Sequence, residues 1–268
     1  MSITSNVALW LTQRARDPRP LDDINELNVV LRQMAKWRSG LIANTYMQRH
    51  GRTILQGPFE GMAYVAAATE GALAPRLLGV YESELHPHIM ALVASGLDCV
   101  VDIGCAEGYY AVGLARLSPE LTVYAYDINP AARAACAELA RANDVQDRVI
   151  VRGLFEPDGF NEFEGRRTLV FVDAEGAEDD VLQPDRSPAL AGMTLIVETH
   201  DIFRPGVCER LKRRFGPTHE ILQVDQQAKT LPLPDWLTSL GHLDQLLAVW
   251  EWRSAPTPWL IMTPRAKV

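Results

Sequence analysis

Two short segments, Asp173-Ala174-Glu175-Gly176 and Glu198-Thr199-His200-Asp201, gather carboxylates and an imidazole. Each follows a short apolar run, LVFV or TLIV, and so reads as the tip of a buried strand. Alternation along an extended chain puts Asp173 and Glu175 on one side, and Glu198 and His200 likewise on one side. A histidine among carboxylates can serve as a general base, its ring oriented by Glu175 or Glu198, and take the proton of a hydroxyl. The same groups suit a divalent cation that binds and acidifies the hydroxyl. A third reading is plain capping of strands and helices. The base without a metal is preferred, and a divalent metal stays open as the alternative.

A third segment, VDIGCAEGYY at residues 101–110, reads as a ligand-binding turn. Gly104 and Gly108 allow close approach of backbone, and Asp102 at the strand tip can accept from an ammonium group or order the loop. A dinucleotide turn would carry GxGxxG, with the pyrophosphate on the following helix N-terminus. The spacing in this chain is GxxxG, and Glu107 inside the loop would repel an anion. Nineteen residues beyond Gly108, Asp127 closes the next strand, where a carboxylate can take both ribose hydroxyls of a nucleoside. A nucleoside with positive charge and no pyrophosphate is required, and S-adenosylmethionine meets that description. Cys105 reads as a small loop residue, since no adjacent histidine marks it as a nucleophile. Of Tyr109 and Tyr110, one reads as core and the other as reaching cofactor or substrate.

These tips must be positioned by a sheet. From residue 98 onward, short apolar runs alternate with helical ones: DCVVDIG, YYAVGLARL, LTVYAYD, AARAACAELARAN, RVIVRG, RTLVFVDAEG and MTLIVETHD. Runs apolar on both faces and separated by helices belong to parallel strands covered on both sides. The predicted class is α/β: a doubly wound, mostly parallel, Rossmann-like seven-stranded sheet, closed by a terminal hairpin from HEILQVD and PWLIMTP. Ahead of it, residues 1–75 read as an N-terminal helical appendage, a substrate lid or dimer contact, and residues 76–268 as the cofactor-binding domain. Within the appendage, Ile24, Leu27, Val30, Leu31, Met34 and Trp37 recur at helical spacing between Pro20 and Gly40, behind a possible Asp23/Glu26 capping box. A second helical stretch ends near Gly51.

With 268 residues, 47% of them hydrophobic, the chain can bury a full core. Its net charge of −8 argues against broad capture of nucleic acid or an anionic membrane and favours a small-molecule partner. Cys99, Cys105, Cys136 and Cys208 form no CxxC pair, which fits a reducing cytoplasm. No leader or membrane-spanning run is read from the sequence.

VVDIGCAEGYYAVGLA, VYAYDINP, FVDAEGAE and LIVETHD resemble the motifs of the class I S-adenosylmethionine-dependent methyltransferases over roughly residues 76–264. GVYESEL ahead of the first strand and VDAEGAE after the fourth are most similar to the FkbM-type enzymes, many of which methylate hydroxyls of sugars or other natural products. The usual loop of that group, DxGANxGY, is replaced by Cys105, Ala106 and Glu107. By position, the resemblance implies that Gly104, Cys105, Ala106, Glu107 and Gly108 line the methionine moiety. It likewise gives Asp127 and Ile128 to the ribose and adenine, Gly153, Leu154 and Phe155 to the adenine edge, and Tyr81 and Glu82 to pocket closure, although these two could also cap a helix. Asp173 is counted on both the cofactor and the catalytic side, and Tyr109 with the cofactor.

The implied activity is O-methylation of a small molecule, leaving S-adenosylhomocysteine. The aromatic-proline motif of many amide and exocyclic-amine methyltransferases is absent. Methylation of an amine or a protein, and non-catalytic cofactor binding, are the alternatives. His86 and His88 read as a solvated helix start, His242 as open in role, and Trp236, Trp250, Trp252 and Trp259 as core more readily than as a stacking platform.

Overall fold

The computed structural model describes residues 2–17, 23–65, 72–229 and 232–265. In chain order the elements are α1 (Ile3–Ala15), α2 (Ile24–His50), α3 (Leu73–Leu78), α4 (His86–Ala94), β1 (Cys99–Ile103), α5 (Tyr109–Leu117), β2 (Thr122–Tyr126) and α6 (Pro130–Ala142). They continue as β3 (Val149–Arg152), β4 (Thr168–Val172), α7 (Glu178–Val181), β5 (Thr194–Glu198), α8 (Val207–Phe215), β6 (His219–Val224), α9 (Asp235–Thr238), α10 (His242–Ala248) and β7 (Trp259–Pro264). Some of these boundaries are written in local chemistry. The Asn129 side chain accepts from the Ala131 N–H with Pro130 in the first turn of α6, a cap legible in the sequence DINP.

The strands form one sheet in the order β3-β2-β1-β4-β5-β7-β6. β1 to β5 are parallel, and β7 runs antiparallel between β5 and β6. The doubly wound seven-stranded sheet is therefore as the sequence predicts, and its final hairpin inserts the last strand inside the edge. Strand order reverses between β1 and β4, so the crevice for a ligand opens at the carboxyl ends of those two strands.

Alternation assigns side chains to the two faces. Val100, Leu169, Phe171 and Ile196 join a core with α4, α5 and residues from α2 and the 54–64 and 77–81 stretches. Val101, Ile103, Val170, Val172, Leu195 and Val197 join the opposite core with α8. By the same period of two, Asp102, Asp173 and Glu198 fall on the face of the first core. Parallel register sets Val172 beside Val197 and Phe171 beside Asp102, so the acidic tips are neighbours across three adjacent strands.

One helix differs from expectation. The two helical stretches predicted on either side of Gly40 are a single 27-residue helix, α2. An interior glycine costs only about 1 kcal/mol relative to alanine, too little to end a helix of this length, and a Cβ at Gly40 would make ordinary van der Waals contact, 3.4 Å from Ile3 Cδ1 of α1. Asp23 caps α2 by accepting from the Asn25 N–H, whereas Glu26 pairs with Arg14 at 2.6 Å. At the start of α2, Ile24, Leu27 and Leu31 are exposed, and burial begins at Ser39, Ile42, Ala43 and Tyr46. Among the described residues, no helix is long and apolar enough to cross a membrane.

Candidate active site

The loop after β1 is built by contacts with its neighbours. Gly104 has φ +84°, and a Cβ there would lie 1.7 Å from the Asp173 carbonyl oxygen; at Gly108, φ +93°, it would lie 2.7 Å from Cys136 Sγ of α6. Both glycines are thus demanded by close packing against the tip of β4 and against α6. Asp127 ties the loop from the next strand: its carboxylate accepts from the Ala106 N–H at 2.9 Å and from the Asn129 N–H at 2.7 Å. Cys105 is buried, and hydrogen bonding to Cys136 together with burial raises its thiol pKa, which suits a packed loop residue and not a nucleophile.

Two cavities meet at this loop. One, of about 300 Å³, is lined by Gly104, Asp127, Ile128, Leu154, Phe155 and Asp173 among others. Ile128 and Leu154 are exposed on it, and Phe155 is buried in its floor. The other, of about 250 Å³, is lined by Asp102, Gly104 to Glu107, Tyr81, Tyr109, Tyr110, Asp173, Glu175, Glu198 and His200, and also by Lys36, Arg76, Phe203, Glu251, Trp252 and Arg253. The carried-over ribose and adenine residues line the first cavity and the methionine residues Gly104 to Glu107 the second, whereas Gly108, packed against Cys136, lines neither. Gly104, Asp173 and Glu175 border both.

The second cavity fits a cationic ligand. Six carboxylates border it (Asp102, Glu107, Asp173, Glu175, Glu198, Glu251), against three permanent cations (Lys36, Arg76, Arg253). Asp102 is 2% exposed, and its Oδ2 has no hydrogen-bond partner among the described residues. Burial, and secondarily the charge of Asp127, push its pKa up to about 8. An ammonium group would satisfy that atom and draw Asp102 into its ionised form.

Glu107 plays a different part from the one expected. Its carboxylate is fully buried, 3.1 Å from the Arg76 guanidinium and hydrogen-bonded by the Tyr64 hydroxyl. Its charge is matched inside the protein, so repulsion by Glu107 does not exclude a pyrophosphate. Glu82 is likewise corrected: it does not line the cavity, because its carboxylate is committed to Arg253 and the Tyr110 hydroxyl. Tyr81, Tyr109 and Tyr110 all line it, and the Arg76 guanidinium stands 4.4 Å from the Tyr81 ring centroid.

His200 is held as a base would be. Its Nδ1 lies 2.7 Å from a carboxylate oxygen of Glu178, and its Nε2 lies 3.6 Å from Asp173, 3.5 Å from Glu175 and 3.7 Å from Glu198. The predicted cluster is therefore brought together, but the orienting residue is Glu178, not Glu175 or Glu198. Glu198 is taken by Arg253, and Glu175 is half-exposed. Glu178, fully buried, also accepts from the Gly176 N–H at 2.9 Å. Burial alone would lower the imidazole pKa; the bond to Glu178 and the charges of Glu198, Glu178 and Glu175 outweigh it and raise the value above 6.5. Burial, reinforced by Glu198, Glu82 and Glu175, holds Asp173 well above the carboxylate range. Asp173, Glu175 and His200 each offer one ligand atom within 4.8 Å of the others.

Arg253 gives the site its hidden frame. Its guanidinium pairs with Glu82 and Glu198 and, at 3.1 Å, with Glu251. Lys229 joins Glu251 at 2.5 Å and Glu84 at 2.7 Å. The 249–258 segment is thereby bound to β5 and to the residues before α4. Neither basic residue is marked by spacing in the sequence. Glu178, in contrast, lies within the VDAEGAE segment, three residues beyond Glu175.

Backbone strain gathers at the same place. Of the five described non-glycine residues with positive φ, Ala106, Glu175 and Trp252 line the cavity, Glu82 packs behind it, and Asp144 alone is elsewhere. Such conformations cost on the order of 1–3 kcal/mol each and persist where the surroundings enforce them. Among the tryptophans, Trp259 is core as expected, whereas Trp252 borders the cavity. His86 opens α4 as expected but is half-buried, its Nε2 3.1 Å from the Tyr81 carbonyl oxygen. His242 is exposed at the start of α10.

No protein-family model matches the chain, and no curated protein matches it. Similar solved structures include an O-methyltransferase from Bacillus cereus in complex with SAH, at 12% identity, covering 84% of this chain and 90% of that one with a TM-score of 0.45. Another is the O-methyltransferase TomG from Streptomyces achromogenes, involved in tomaymycin synthesis, in complex with SAM (14% identity, 84% and 89% covered, TM-score 0.45). A third is cofactor-bound Rv0187 from MTB (15% identity, 92% and 98% covered, TM-score 0.46).

Proposed function

We propose that the protein transfers the methyl group of S-adenosylmethionine to a hydroxyl of a small natural-product-type or sugar-like acceptor, as the FkbM-like motifs imply. The carrying observation is the His200 imidazole, fixed through Nδ1 by buried Glu178, with Nε2 turned to the cavity that the methionine-side loop shares. When bound, the cofactor supplies an electrophilic methyl on a sulfonium. Asp102 and the glycine loop hold its amino-acid end. Asp127 accepts from the ribose hydroxyls through the lone pairs its backbone bonds leave, and Ile128, Leu154 and Phe155 cover the adenine.

The chain's own task is to align the acceptor and remove its proton. Glu178 accepts the Nδ1 proton, so the neutral ring presents an Nε2 lone pair to the hydroxyl. The imidazolium formed is then stabilised by its bond to Glu178 and by the charges of Glu198, Glu178 and Glu175, the influences that raise its pKa. The spacing of Asp173, Glu175 and His200 supports a second reading, in which a divalent cation acidifies the hydroxyl. Methyl transfer that survives a chelator belongs to the base, and transfer lost to a chelator and restored by magnesium or manganese belongs to the cation.

Labelled-methyl transfer by His200→Ala tests the assignment: turnover should fall at least about a hundredfold with S-adenosylhomocysteine affinity kept. Unaltered turnover removes His200 from the reaction. Asp127→Ala should weaken cofactor binding about tenfold to a hundredfold, and unchanged affinity by calorimetry would sink the cofactor assignment.

A further inference from the structure

The mouth of the 250 Å³ cavity carries a chemistry that cofactor binding and proton removal leave unused. Ile202, Phe203 and Trp252 give it an apolar and aromatic lining, with Ile202 and Phe203 47% and 59% exposed. Phe203 lies stacked against the His200 ring, centroids 5.9 Å apart and planes within 20°. Lys36, from α2, sets its ammonium 4.8 Å from the centroid of the Trp252 ring.

The two other cations of the cavity are committed, Arg76 to Glu107 and Arg253 to Glu82, Glu198 and Glu251. Among the described residues, no carboxylate stands within ion-pair distance of Lys36. Trp252 is fixed with φ +66°, a conformation a bulky side chain rarely adopts. It is kept there by Arg32, which donates to the Trp252 carbonyl at 2.9 Å, and by the buried ion pairs of its neighbours Glu251 and Arg253. Strain imposed on a cavity-lining aromatic, with an uncommitted ammonium over its ring, is the signature of a ligand clamp.

We infer that the acceptor is a planar aromatic ring that carries, besides its reactive hydroxyl, an anionic group of the carboxylate class. The ring sits against Trp252 and Phe203, the anion meets Lys36, and the hydroxyl faces His200. The anion must lie at the Lys36 side, since Asp173, Glu175 and Glu198 surround Nε2. The inference rests on the methyl-transfer reading above and narrows it from sugar-like acceptors to aromatic hydroxy acids.

The test is calorimetric titration of the S-adenosylhomocysteine-loaded protein with 4-hydroxybenzoate and with its neutral counterpart 4-hydroxybenzamide. The acid should bind about tenfold more tightly, the scale of one partly desolvated ion pair. Lys36→Met should erase that preference while leaving S-adenosylhomocysteine affinity unchanged. Equal affinities, no binding of either compound, or a preference that survives Lys36→Met overturns the inference. A tenfold loss of S-adenosylhomocysteine affinity in Lys36→Met also overturns it, by giving Lys36 to the cofactor's own carboxylate, and leaves methyl transfer standing. Failure of wild-type protein to bind S-adenosylhomocysteine takes down the functional reading itself.

Discussion

Asp102→Asn should make the free protein more stable and the cofactor-bound protein weaker. The Asp102 carboxyl is 2% exposed and has an oxygen with no partner, and its pKa stands at about 8 in place of 3.8. A shift of that size corresponds, at neutral pH, to on the order of 4 kcal/mol of disfavoured ionisation. An amide never ionises and so escapes this cost, while its N–H groups go unpaired in the same place; the net gain should be about 1–3 kcal/mol. The sign follows from linkage. The folded carboxyl keeps its proton up to about 8 while the unfolded one releases it near 3.8, so wild-type stability declines as pH rises between those values. Asparagine does not titrate, and the variant lacks this slope. Urea unfolding at two pH values checks it: the two proteins should differ little near the lower limit, and the variant should be more stable by about 1–3 kcal/mol at the upper one. Binding an ammonium group favours the ionised carboxylate, so wild-type protein should release close to one proton on binding S-adenosylhomocysteine at neutral pH. Calorimetry in buffers of different ionisation enthalpy measures it, and the variant should release none. A variant no more stable at the upper pH, or one that binds with the wild-type proton release, would refute the role given to Asp102.

Further outcomes follow from the same frame. The rate of methyl transfer should rise with pH through the His200 pKa, above 6.5, because the neutral ring is the base; Glu178→Gln should move that limb to lower pH and lower its plateau, and an unmoved limb would detach Glu178 from the ring. Arg253→Met leaves Glu82, Glu198 and Glu251 buried without their guanidinium and should cost about 3–5 kcal/mol in urea unfolding; a loss below about 1 kcal/mol would deny it the framing role. In Gly104→Ala the new methyl meets backbone oxygen at 1.7 Å, so both the melting temperature and S-adenosylhomocysteine binding should collapse, and wild-type behaviour in either would contradict the packing described for the loop.

The sheet was legible because its strands are buried on both faces and interrupted by helices, a pattern that few architectures produce. The acidic tips were legible for the same reason: Asp102, Asp127, Asp173 and Glu198 stand where an apolar run ends, at positions where packing alone has no use for a carboxylate. What lay beyond reach was pairing over distance. Nothing in GCAEG announces that Glu107 is answered by Arg76 and Tyr64, and without that partner its charge was given too much weight. Arg253, Lys229 and Lys36 reach the site from a late insertion and a distant helix, so no local spacing marks them. The break expected at Gly40 shows the limit of propensity, since one interior glycine costs about 1 kcal/mol and does not end a 27-residue helix.

The central claim is that the two cavities together hold S-adenosylmethionine. Calorimetric titration of the wild-type protein with S-adenosylhomocysteine tests it most directly. A single saturable site, displaced by S-adenosylmethionine and indifferent to nicotinamide dinucleotides, is the expected result. Binding of a nicotinamide dinucleotide with no heat from S-adenosylhomocysteine would contradict it.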